Sequence, residues 1–264
     1  MKLLERKKAI VRSGCIVMLA SVSCAVAATS EERFEGDPGW HDIEGRIQYY
    51  YFTEDSHGLS GLQQQLSGIS KDKLNGYYSA LLAYRLTQLT VRTDLGPGTA
   101  AEPGKSQVRE FLWRCVTSLD PVLAAQKDFA EGLALQGACL GMTAELHSFW
   151  HGHISGARSE SQLKRALQIA PHNPRVLLLE AMADSGRDGD KAIGELKQAI
   201  TRFEAERQEV EALPGWGAAE AYELMARIYL RRGDALAARD ALERSLLLAP
   251  SYAQARRLLL QITS

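Results

Sequence analysis

Residues 216–250 read WGAAEAYELMARIYLRRGDALAARDALERSLLLAP, and the fold turns on how their apolar positions are spaced. Tyr222, Met225, Ala226 and Tyr229 recur at three- and four-residue steps. Gly233-Asp234 interrupts, and Ala238, Leu242, Ser245 and Leu246 resume the period before Pro250. Residues at such steps share one face of an α-helix. The stretch predicts two amphipathic helices joined by a tight Gly-Asp turn and closed by the proline.

The order large-x2-large-small-x2-Tyr, then Gly-Asp, then Ala-x3-large-x2-small-x4-Pro resembles a tetratricopeptide repeat, whose period is about 34 residues. Ser245 stands where that family has alanine, and Tyr222 where it has tryptophan. Working upstream, Asn173 to Glu206 supplies Val176, Leu179 and Ala183, a turn over 185–190, then Ala192, Leu196 and Ala199, with Glu180 at the position of the small residue. Leu140-Gly141-x2-Ala144 and Leu163-x2-Ala166-x4-Pro171 frame another pair. Earlier still the match is by period alone. Tyr77, Leu81, Tyr84 and Leu86 precede a Gly- and Pro-rich loop from Asp94 to Gly104. Val108, Leu112, Trp113 and Val116 follow it, before Pro121. A first pair is marked by Ile43, Ile47, Tyr50 and Tyr51, then Leu59, Leu62, Leu66 and Ile69.

The expected fold is all-α: a right-handed superhelical array of antiparallel helix pairs, about five hairpins and a C-terminal capping helix from Ser251 to about Ile262. Short helices are marginal alone in water, so each must bury its stripe on a neighbour. Small residues at Gly141, Ala166, Ala199, Ala226 and Ala238 allow close approach, and Arg256, Arg257 and Gln261 give the last helix a wet outer face. Insertions are expected at 94–104, 147–158 and 207–218.

The first residues have a different character. Lys2, Arg6, Lys7, Lys8 and Arg12 precede an apolar core from Cys15 to Ala20, and Ala25-Val26-Ala27 follows. This is the layout of a secretory signal peptide cleaved after Ala27. Two alternatives are an uncleaved N-terminal membrane anchor and a lipid-modified Cys24, although Ser21 stands where a lipobox has an aliphatic residue. The expected organisation is residues 1–27 signal peptide, 28–39 linker and 40–264 repeat domain, in a periplasmic or secreted protein with no transmembrane segment in the mature chain. The 264-residue chain is 45% hydrophobic and 24% charged with a net charge of −1, which disfavours nucleic acid as a partner. Cleavage would remove five basic residues and one acidic residue, leaving −5. Cys115 and Cys139 would remain. If the first of their two helices ends near Pro121, and Asp128 and Glu131 form a capping box on the second, the cysteines are offset by roughly 9 Å along the axis. That offset favours buried free thiols over a disulfide.

The resemblance implies a non-catalytic binding protein that holds a protein or peptide in its concave groove. In tetratricopeptide arrays the second, fifth, ninth and twelfth positions of each first helix face inward. Carried over, the partner-binding residues are Tyr78, Arg85, Met142, Leu177, Glu220, Glu223 and Arg227. Arg227 stands where carboxylate-clamping members carry asparagine, which argues against a chaperone-tail receptor.

Three smaller motifs are weighed beside that reading. His147-x3-His151-x-His153 has spacing compatible with zinc, copper or nickel, and supports an alternative in which the inserted loops capture a metal or small molecule. Exposed polar loop residues beside a packed Trp150 are the better explanation of that spacing. Ser161-x2-Lys164 matches a nucleophile pair in its barest form, without helper motifs and on the polar side of a helix. Trp216, on the Pro214-Gly215-Trp216-Gly217 loop, either anchors a partner or tucks against the helix it introduces. No catalytic constellation and no cofactor fingerprint is found.

Overall fold

The structure is a computed structural model that describes residues 34–35, 38–68, 73–94, 102–146, 149–206, 212–213 and 215–263. The expected signal peptide lies outside the described residues. Eleven helices are described: α1 (Pro38–Phe52), α2 (Ser56–Ser67), α3 (Lys73–Asp94), α4 (Glu102–Ala125), α5 (Ala130–Leu146), α6 (Phe149–Ile169), α7 (Pro174–Asp184), α8 (Gly189–Glu206), α9 (Ala218–Arg231), α10 (Ala235–Leu248) and α11 (Ala253–Thr263). Two short strands, β1 (Phe34–Glu35) and β2 (Ala212–Leu213), pair antiparallel with Phe34 opposite Leu213.

Pairing follows chain order: α1 with α2, α3 with α4, α5 with α6, α7 with α8 and α9 with α10, while α11 packs on α10. The chain is therefore an array of five antiparallel helix pairs and a terminal helix. Local chemistry sets the boundaries. Asp55 caps α2 by accepting from the Gly58 N–H at 2.8 Å, and Asp234 caps α10 by accepting from that of Ala237 at 3.0 Å. Asn173 caps α7 by accepting from the N–H groups of Arg175 and Val176, with Pro174 just inside the helix. Gly233 turns α9 into α10 at φ +76.

Four of the five small positions, Ala166, Ala199, Ala226 and Ala238, are buried in the core, and Gly141 is half-buried. Ser245 is buried too, and its hydroxyl donates to the Ala219 carbonyl at 2.8 Å, so this departure from alanine ties α10 to the start of α9. At Gly137 a Cβ would lie 2.9 Å from Leu163 Cγ, which marks how closely α5 and α6 approach.

Three expectations change. First, α4 does not stop before Pro121. The helix continues to Ala125, and the Gln126 N–H still donates to the Val122 carbonyl at 2.8 Å. Proline this near the C-terminus costs one internal hydrogen bond and leaves the last turn intact. Second, and for that reason, the cysteines form a disulfide. Cys115 lies ten residues before the end of α4 and Cys139 nine after the start of α5. The two therefore face each other between successive helix pairs, with Cα atoms 6.4 Å apart. Glu131 does not close a capping box, because its carboxylate is bonded inside the array. Third, much of 147–158 is helix: α6 starts at Phe149 and carries His151 and His153 within its 21 residues. Within the expected linker, β1 is paired and α1 begins at Pro38.

Candidate functional site

The inner face of the array is built on α3 and α9, and α1 lies against it. The 3.6-residue period of α1 brings Trp40, Glu44, Ile47, Gln48 and Tyr51 towards one side. Trp40 stacks on Tyr78 of α3 with ring centroids 5.5 Å apart. The Tyr78 hydroxyl donates to Glu44 Oε2 at 2.6 Å, and the Gly215 N–H donates to Glu44 Oε1 at 2.6 Å. One turn on, Gln48 Nε2 donates to Glu220 Oε1 of α9 at 3.3 Å, and Arg85 Nη2 of α3 donates to Gln48 Oε1 at 3.4 Å. At the end of α1, Tyr51 and Phe52 meet Tyr252 beside α11, with centroids 6.0 and 4.6 Å apart.

Two charge networks lie beneath this helix. Arg85 forms a buried ion pair with Glu220 and donates to Gln88 Oε1 at 3.0 Å. Its guanidinium carbon stands 4.1 Å from the Tyr51 ring centroid and 4.9 Å from that of Trp216. Burial works most strongly against the Arg85 charge, but Glu220 together with Tyr51, Tyr84 and Tyr252 outweighs it and the guanidinium pKa is raised. In the second network Glu131 accepts from Asn173 Nδ2 at 2.8 Å, from Arg175 Nη1 at 3.3 Å and from the Tyr77 hydroxyl at 3.1 Å. Arg175 also pairs with Glu206 at 2.9 Å. Trp216 donates its indole N–H to the Tyr77 oxygen at 2.9 Å, so the residue at the mouth of the 207–218 insertion is an internal strut. Glu44 has its pKa raised by burial, with the Tyr78 hydrogen bond opposing that rise. The buried Tyr77 and Tyr78 are held protonated, mainly by the same loss of solvation.

Of the seven expected partner residues, Tyr78, Arg85, Glu220 and Glu223 are buried on this face, and the first three bond within the chain to or through α1. Leu177 is buried in the shared core. Met142 and Arg227 keep partial exposure, Arg227 with its Nε 2.9 Å from Glu223 Oε1. What the spacing rules missed is the occupant of the groove. Trp40, Ile43, Ile47, Tyr51 and Phe52 are all buried, and at about 1.5–3 kcal/mol each they hold α1 in place by about 10 kcal/mol. The signal was the recurrence of Trp40, Glu44, Ile47 and Tyr51, which marks a buried face without saying against what.

Of the candidate metal ligands, only His153 has its side chain among the described residues. His147 lies outside them, the side chain of His151 is likewise not described, and His153 is exposed on α6. A different group, the carboxylates of Glu180, Asp184 and Glu195, does converge. Lys191 serves all three: it pairs with Asp184 and lies 3.4 Å from both Glu180 and Glu195. Burial pushes the Glu195 carboxyl up to about 7, against the pull of Lys191 and with added repulsion from Glu180 and Asp184. Ser161 and Lys164 are both exposed.

No family model matches the chain, and no curated protein does. Among solved structures it is similar to a thermophilic tetratricopeptide-repeat protein of Thermus thermophilus, at 15% identity over 73% of this chain and 99% of that one, with a TM-score of 0.48. It is also similar to an assembly chaperone of RpL4, at 13% identity over 85% and 95% of the two chains with a TM-score of 0.37. A tetratricopeptide-repeat protein from Parabacteroides merdae matches at 11% identity over 86% and 100%, with a TM-score of 0.29. At such scores these likenesses add nothing to what the chain's own helix pairs establish: a tetratricopeptide-like array with its inner face covered by its first helix.

Proposed function

We propose that this chain is an exported, non-catalytic helical-repeat protein that holds a protein or peptide partner on the part of its inner face left open by α1, around Met142 and Arg227. The observation that carries the reading is the filling of the groove by α1, which leaves those two of the seven inward residues accessible. The buried charges of the inner face are paired with one another, a pattern suited to holding a scaffold rigid rather than to proton transfer at a substrate. Export is supported by the basic and apolar N-terminal layout and by the Cys115–Cys139 disulfide, since such bonds persist in oxidising compartments.

The test is capture of a partner from envelope extracts by tagged full-length protein expressed in its own host. Met142→Glu with Arg227→Glu, both at partly exposed positions, should abolish retention of any partner held by the wild type; undiminished retention overturns the reading. Mass spectrometry of the purified chain should give an N-terminus at Ala28. A mature chain still beginning at Met1 overturns cleavage.

A further inference from the structure

Away from the inner face, α2, α3 and α4 enclose a trough of about 800 Å³. Its floor is closed where α3 and α4 touch at Gly76: a Cβ there would lie 2.4 Å from Val122 Cγ2 and 2.9 Å from the Ser118 carbonyl. Its walls carry hydroxyls and amides, among them Ser60, Gln63 and Gln64 of α2 and Thr117 and Ser118 of α4. Trp113 stands on the α4 wall with 65% of its surface exposed.

The charges of the trough are already engaged. Arg114 donates to Glu110 at 2.5 Å and to Gln63 Oε1 across the trough at 3.3 Å, and the Lys73 ammonium lies 4.5 Å over the Phe129 ring. Two of the hydroxyl protons are engaged as well: Thr117 donates to the Trp113 carbonyl at 2.9 Å and Ser67 to the Gln64 carbonyl at 2.6 Å. Those two hydroxyls are left with lone pairs to offer, while the Gln63 and Gln64 amides carry N–H donors, so the walls match a ligand that both donates and accepts. An exposed indole offers a broad apolar face whose negative quadrupole attracts weakly positive C–H groups, and tryptophan is enriched where binding energy concentrates.

We propose that this trough binds an uncharged oligosaccharide, with one pyranose ring stacked on Trp113 and its hydroxyls bonded to Gln63, Gln64 and Thr117. Sugar hydroxyls both donate and accept, which fits acceptor hydroxyls beside amides, and a neutral ligand asks for no counter-charge. An extended or helical peptide is the weaker fit. A helical peptide docks through a continuous apolar stripe, whereas here Leu66, Trp113, Pro121, Val122 and Ala125 share the lining with amides, hydroxyls and the Arg114–Glu110 pair.

Isothermal titration of the full-length, disulfide-intact protein with chitohexaose, cellohexaose and maltohexaose tests the assignment. Saturable binding of at least one is expected, weakened about tenfold or more by Trp113→Ala and also weakened by Thr117→Val, with unchanged circular dichroism. Met142→Glu/Arg227→Glu should leave this binding unaltered, which separates the trough from the partner surface proposed above. No saturable heat with any of the three sugars overturns the proposal, as does binding that Trp113→Ala leaves intact. An uncharged mixed octapeptide that binds in their place, and is lost on Trp113→Ala, overturns it in favour of a peptide site.

Discussion

Arg85 and Glu220 are 135 residues apart, and their charges are almost wholly removed from water. Such a pair contributes little net stability because each charge gives up its hydration, yet losing one partner strands the other. Glu220→Gln should therefore destabilise the protein by about 3–5 kcal/mol in urea unfolding, while Arg85→Met combined with Glu220→Leu should cost clearly less than the single change. A double variant as unstable as the single one would show that the pair does more than neutralise itself. Neither residue announced this role. Both were legible as inward positions of first helices, but a periodic pattern does not say which inward side chains meet, and the arginine reads alone as a groove cation.

At the scale of elements, the α3–α4 pair is stapled to the α5–α6 pair by Cys115–Cys139, and both sulfurs are fully buried. Opening that bond frees the unfolded chain of a constraint across 24 residues. Cys115→Ser with Cys139→Ser should lower stability by about 2–4 kcal/mol, read as a shift of the urea midpoint. Dithiothreitol should lower the wild type similarly once it unfolds enough to be reduced, and should leave the variant unmoved. The disulfide was misjudged from the sequence because a proline was taken as the end of α4; four further helical residues restore the register. Gly217 shows the opposite case, a local rule with a tertiary cause. It precedes α9 at φ +120, and a Cβ there would sit 2.5 Å from Phe203 Cζ. A glycine before a helix is readable as a boundary, but the phenylalanine that excludes a side chain is not.

At the scale of the molecule, α1 joins parts of the array that a simple stack keeps apart. Repeats in a row contact sequence neighbours, whereas Tyr51 touches Arg85 of α3 and Tyr252 beside α11. Tyr51→Ala, which empties a fully buried site, should cost about 3–5 kcal/mol. By hydrogen exchange it should loosen α1, α9 and α11 together more than α5 and α6, whereas loosening confined to α1 would show that the ends are not coupled. The spacing of apolar and small residues determined the helices, their antiparallel pairing and their order, because those follow from local period and from short connections. Where α1 lies, which charges it covers and which inward residues it leaves to solvent were decided only by the tertiary structure. A hydrophobic stripe specifies that a face must be buried. It does not carry the address of the surface that buries it.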